Sequence, residues 1–295
     1  MLFPGRAKTR AVKLRALLIG TICACSWLPA APAASGQPAA SRASADFPRQ
    51  RFHFDAGAAL SAPAGIAPDG SICVGTVDGY VHGLAADGSY AWSHSVQGAI
   101  THRPVFAGGH WQVATSSQRI YALHPDGSLS WVFKPLSPVV SELAADAGGT
   151  LYFVGGDHFL YGVSPRGGIS LRAPFGEPNA GPLIGPDGAI WARNGASSVI
   201  RVHGQDVRRF APGANAPGEV DFGDLETLRD PEGRAWRGRA DGVVELRASP
   251  EAAPSTTSLG SAPLLVPAWS SVAHYALFSS RSGLLVALDP PPPAR

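Results

Sequence analysis

Gly83-Leu84-Ala85-Ala86-Asp87-Gly88-Ser89-Tyr90-Ala91-Trp92 returns 39 residues later as Ala122-Leu123-His124-Pro125-Asp126-Gly127-Ser128-Leu129-Ser130-Trp131. After a further 40 residues it returns as Gly162-Val163-Ser164-Pro165-Arg166-Gly167-Gly168-Ile169-Ser170-Leu171. Each copy runs from small and apolar residues through a glycine-bearing turn to one bulky apolar residue. Another step of 39 reaches Phe210, so Trp92, Trp131, Leu171 and Phe210 are expected to hold one position. Self-similarity at this period marks an array of supersecondary units, none of which buries its own faces alone.

A second frame precedes the first. Ile72-Cys73-Val74-Gly75-Thr76-Val77-Asp78-Gly79-Tyr80-Val81 has counterparts at Trp111 to Thr115, at Leu151 to Leu160, and more weakly at Ile190, Ala235 and Ala276. Asp-Gly pairs at 69-70, 78-79, 87-88, 126-127, 187-188 and 241-242 fall between the apolar runs. Glycine there permits the positive φ of tight hairpin turns. A small-residue and proline segment leads each unit, as in Ala62-Pro63, Arg103-Pro104, Gly181-Pro182 and Ala262-Pro263. Each unit therefore reads as four short strands, and no amphipathic helix stands out. The fold class is all-β, a β-propeller of about six four-stranded blades.

The ends fit a closed ring. The last copy stops at Val286-Ala287-Leu288-Asp289, after a third strand, and Arg51-Phe52-His53-Phe54 precedes the first unit as an orphan fourth strand. Pairing the two removes an open edge, with Phe52 in the tryptophan position. The expected organisation is a signal peptide over 1–33, a flexible Ala/Ser/Gly/Pro linker over 34–48, the propeller over 49–290 and a tail over 291–295.

Arg6, Lys8, Arg10, Lys13 and Arg15 open the chain without an acidic residue, and Ala16 to Cys25 follows as an apolar run. Basic, apolar and A-x-A segments in that order read as a secretory signal. An uncleaved membrane anchor is the other reading. Ile22-Cys23-Ala24-Cys25 loosely resembles a lipobox, and a lipid on Cys25 is the one expected route to a membrane. Loss of residues 1–33 leaves 19 Lys and Arg against 22 Asp and Glu, a net charge of −3. The basic character is thus an export feature and argues against nucleic acid as a partner. Cys73 is alone after the leader and sits in an apolar strand, which reads as an inert thiol.

The repeat resembles the PQQ-type propeller repeat: a proline strand, a dG-x-hydrophobic-x-G strand, an A-L-D-x strand and a G-x-x-x-W strand. Residues 58–171 carry it most clearly. The chain is similar in this to BamB-like periplasmic propellers. The resemblance implies a periplasmic location, or the periplasmic face of the outer membrane, and other envelope proteins as partners. Quinoprotein dehydrogenases share the repeat but are longer, with an adjacent-cysteine disulfide and a calcium site, so no cofactor is expected here.

No residue reads as catalytic or metal-ligating in a linear motif, and the nine histidines are scattered. Two groups are candidates for function. Glu142, Asp221, Asp224 and Glu226 lie in or near first-strand positions, which line the axial channel of a propeller. Arg193, Arg201, Arg234, Arg237 and Arg239 concentrate in the fourth and fifth units and suit a protein-interaction surface. The expected function is a monomeric, non-catalytic scaffold that binds other proteins. The alternative is a small propeller enzyme, either an axial-metal hydrolase or lactonase, or a degenerate quinoprotein.

Overall fold

The computed structural model describes residues 49–291, apart from 186, 196–197, 204–205 and 212–225. The expected signal peptide, linker and lipidated Cys25 lie outside the described residues. Among the described residues, twenty-four strands form six separate four-stranded antiparallel sheets. Blade 1 holds Gly65–Ile66, Ile72–Gly75, Tyr80–Leu84 and Tyr90–Ser95, and blades 2 to 5 repeat that order. Blade 6 is built from Ala268–Ser270, Tyr275–Ser279 and Leu284–Leu288, and the N-terminal Gln50–Asp55 supplies its fourth strand. Phe52 pairs with Ala287 and Phe54 with Leu285, so the ring closes as the ends of the sequence imply.

Burial follows position within each blade. In blades 1, 2, 3 and 6 the second and third strands are largely buried on both faces, as in Leu151–Val154 and Leu284–Leu288, whereas in blade 5 Arg237 and Arg247 leave one face exposed. The outer strands Tyr90–Ser95 and Ile169–Pro174 alternate between exposed and half-buried residues. That is the period-2 pattern of a sheet edge with one face against a neighbour. Blades 6 and 1, 1 and 2, 2 and 3, 3 and 4, and 5 and 6 each share an apolar cluster.

The recurring bulky residue acts between blades. Phe52, Trp92, Trp131 and Leu171 each pair with the penultimate residue of the preceding strand, and in each case the register shifts at the next step. Trp92 covers Gly83 in its own blade and the turn glycine Gly127 in the next; Phe52 and Trp131 meet Gly88 and Gly167 in the same way. Gly127 has φ +82°, and a Cβ there would lie 2.6 Å from the indole of Trp92. Glycine is therefore required twice, for the turn and for the close approach.

Phe210 does not share that position. It pairs with Val199 at the far end of the hairpin, and Val207 pairs with the penultimate Val202. The connection from His203 to Asp206 is three residues shorter than that from Leu84 to Tyr90, so a fixed 39-residue step overshoots. The leading strands also differ from the sequence expectation. In blades 1, 2 and 6 the proline pairs precede strands at Gly65–Ile66, Val105–Ala107 and Ala268–Ser270. Proline has no N–H for a ladder, so the pairing is interrupted at it: in blades 1 and 2, Leu60 and Ile100 bridge to Thr76 and Thr115 ahead of the proline, and the named strands begin beyond it.

Candidate functional site

The first strands of neighbouring blades contact one another around the inside of the ring, as for Gly65–Ile66 with Val105–Ala107 on one side and Ala268–Ser270 on the other. Residues just ahead of these strands converge at one mouth of the axis. Arg103, two residues before its strand, donates from a terminal guanidinium nitrogen to the carbonyls of Val266, at 3.4 Å, and Pro267, at 3.3 Å. It thereby ties blade 2 to blade 6 past the intervening blade 1. His102 shares a 2.8 Å hydrogen bond between Nδ1 and the Thr101 hydroxyl. Burial favours the neutral forms of both His102 and Arg103, and the negative charge of Glu142 opposes that effect. Glu142 is exposed and leads into the inner strand of blade 3, at Ala144–Ala145.

A cleft of about 810 Å³ is lined by residues of blade 5, by Pro263 to Val266 and Arg281 of blade 6, and by Pro63 ahead of blade 1. Leu264, Leu265 and Val266 form its apolar wall, and Glu226, Arg237, Arg239, Asp241 and Glu245 line the rest. These charges pair among themselves. Arg237 meets Glu226 at 2.8 Å, and Arg239 meets Asp241 at 2.9 Å and Glu245 at 3.0 Å. Asp221 and Asp224 lie outside the described residues.

The remaining sequence-selected arginines are also engaged. Arg201 forms an ion pair with Asp187 and stands 5.7 Å from the Trp191 ring centroid. Arg234 is 11 % exposed and bonds to Asp230, Glu232 and the carbonyl of Pro291. Arg193 lies on the blade 4 strand Ile190–Asn194, paired in register with Val199. The structure therefore brings Arg237 and Arg239 together with Glu226 at one cleft, and it uses Arg234 to hold a turn. Arg103 went unselected because its contacts depend on the curvature of the ring, which local sequence does not show.

Cys73 is fully buried, and burial pushes its thiol far up, away from the thiolate form. The Tyr152 hydroxyl donates to Asp146 at 3.0 Å; burial, then the Asp146 charge, raises it to about 12. Among the described residues no three His, Cys, Asp or Glu side chains are grouped as a metal site.

Residues 32–172 match the family model for the outer membrane protein assembly factor BamB. Over that stretch the chain is similar to the PQQ-type β-propeller BamB. The matched stretch is the part in which the repeat is clearest. No curated protein matches the propeller by sequence. Among solved structures, BamB from Moraxella catarrhalis aligns at 15% identity and a TM-score of 0.50, over 83% of this chain and 92% of that one. A catalytically inactive virginiamycin B lyase from Staphylococcus aureus, solved with quinupristin, aligns at 10% identity and a TM-score of 0.55, over 81% of this chain and 98% of that one. At these identities each likeness speaks for the fold alone, and the ring serves a lyase as well as an assembly factor.

Proposed function

We propose that this chain is an exported, non-catalytic propeller that binds other envelope proteins, in the periplasm or at the periplasmic face of the outer membrane. The observation that carries this reading is the match of residues 32–172 to an outer membrane assembly factor. The leader-like start of the sequence supports export. The self-paired charges that blade 5 contributes to the larger cleft support a recognition surface. Paired guanidinium and carboxylate groups are set in place by one another, and partner groups join them as further hydrogen bonds.

The test is chemical cross-linking of intact envelopes followed by purification of the full chain. Discrete cross-linked protein partners are expected. Stoichiometric calcium, or a quinone spectrum in the purified protein, would overturn the non-catalytic reading and direct attention to the axial mouth around His102, Arg103 and Glu142.

A further inference from the structure

We infer that the face of blade 5 turned away from blade 6 is a docking site for an acidic protein segment, with Arg229 and Arg247 as the recognising pair. This rests on the protein-binding reading above and names the chemistry of the partner.

The face is set by strand alternation. Leu228, Trp236, Val244 and Leu246 pack into the apolar cluster shared with blade 6. Their alternate neighbours Arg229, Arg237 and Arg247, with Thr227 and Glu245, therefore project to the opposite side, where they line a cleft of about 250 Å³. Blade 4 does not cover this side with apolar packing: the cluster around Trp191 and Val199 draws on blade 4 alone among the described residues.

Register places the two arginines in one row. Arg229 pairs with Ala235, and Ala235 pairs with Arg247. Two strand spacings separate their backbones by roughly 9.6 Å, and the methyl group of Ala235 leaves the space between them open. In the adjacent row Arg237 pairs with Glu245, and both are already held, Arg237 by Glu226 and Glu245 by Arg239. Among the described residues Arg229 and Arg247 form no ion pair, and Arg229 donates to the Gly233 carbonyl, at 3.4 Å. The face thus carries two uncompensated guanidinium groups above a neutral floor.

Two planar forks on long stems fit two carboxylates of one segment, or converge on a single carboxylate. Protein is favoured over a nucleic-acid backbone because the chain after the leader has a net charge of −3 and this patch holds only two free cations.

The experiment measures binding of a fluorescent six-residue peptide of alternating Asp and Ser to the purified full-length protein at low ionic strength. Saturable, salt-sensitive binding is expected. For exposed pairs each of R229Q and R247Q should weaken it about threefold, and the two together about tenfold. R166Q, an exposed arginine on blade 3, should change nothing. Thermal melting of each variant checks that it folds. Equal binding by wild type and the double variant would overturn the site. Competition by inorganic phosphate as strong as that by unlabelled peptide would overturn the assignment to a protein segment. If envelope cross-links persist in the double variant, the docking site falls and the scaffold reading stands. If the peptide binds but no cross-linked partner is found, the scaffold reading falls and the acidic-segment site stands.

Discussion

Trp92 on the outer strand of blade 1 rests against Gly127 in the turn of blade 2, and the same contact joins Phe52 to Gly88 and Trp131 to Gly167. A half-buried aromatic ring thus packs one sheet against the turn of the next. Trp92→Ala is expected to cost about 2–3 kcal/mol, somewhat less than a fully buried tryptophan. Gly127→Ala imposes a left-handed backbone conformation on alanine and drives a methyl group into the ring. Chemical denaturation should show the two changes coupled, with Gly127→Ala costing less when Trp92 is already alanine. Strict additivity would mean that the ring and the turn do not bear on each other.

Blade 5 holds its first turn differently. Asp230 has a fully buried side chain and accepts from Arg234 Nε at 2.6 Å and from Trp236 Nε1 at 2.9 Å. It also accepts from the Arg234 backbone N–H at 2.9 Å. Asp230→Ala leaves a nearly buried guanidinium and a buried indole N–H without their acceptor. Breaking such a pair costs about 3–5 kcal/mol. The measurement is the denaturant midpoint of the variant, and a change below about 1 kcal/mol would contradict this account.

His82 makes stability depend on pH. Its ring lies 5.7 Å from Phe54, 6.2 Å from Tyr80 and 6.4 Å from Tyr90. Both ring nitrogens are buried without a hydrogen-bond partner. Burial lowers its pKa below the usual 6.5, against a smaller opposing effect of Asp78. The unfolded chain therefore takes up the proton first. The stabilisation by neutral His82 is present above pH 6.5 and is lost as the pH falls below it. His82→Phe keeps the aromatic contacts and removes the proton. Melting temperatures between pH 7 and pH 5 should fall less steeply for the variant. Some slope will remain, because burial lowers His102 in the same direction. Identical slopes would exclude His82 as a contributor.

The sequence makes blades 1 and 2 most legible because their turns are built alike. Asp69, Asp87 and Asp126 each accept from the N–H and hydroxyl of the serine two residues on, and each is followed by a left-handed glycine. Such a turn needs those residue types at that spacing, so the frame survives in the letters. Blade 4 shortens one hairpin, and the count then misplaces Phe210. The arginines were visible as a cluster, but their partners were not. Arg234 meets Asp230 across a turn, whereas Arg229 and Arg247 become neighbours only through register across Ala235. Register between strands, and the curvature that brings Arg103 to Val266, are tertiary facts.

Closure of the ring rests on residues 50–55, and truncation separates that role from the rest of the N-terminal region. Phe52 packs edge-on against Tyr275, with ring centroids 5.4 Å apart, and Phe54 joins the cluster shared by blades 6 and 1. Arg51 adds an ion pair with Asp289 at 3.5 Å, which is exposed and contributes little. Removing residues 1–48 spares all of these contacts and should leave the melting temperature close to that of the full chain. Removing residues 1–57 takes away two phenylalanines, each contributing roughly 1.5–3 kcal/mol when buried. It also strips the hydrogen-bonding partner from Leu284–Leu288, a strand otherwise buried within its blade, and leaves an apolar edge ready to pair with another chain. Against a total stability of about 5–15 kcal/mol that loss is large. The longer truncation is expected to aggregate or to melt at a sharply lower temperature, as read by light scattering and calorimetry. Equal behaviour of the two truncations would mean that the ring holds together without its N-terminal strand, with the contacts between blades 6 and 1 sufficient to close it.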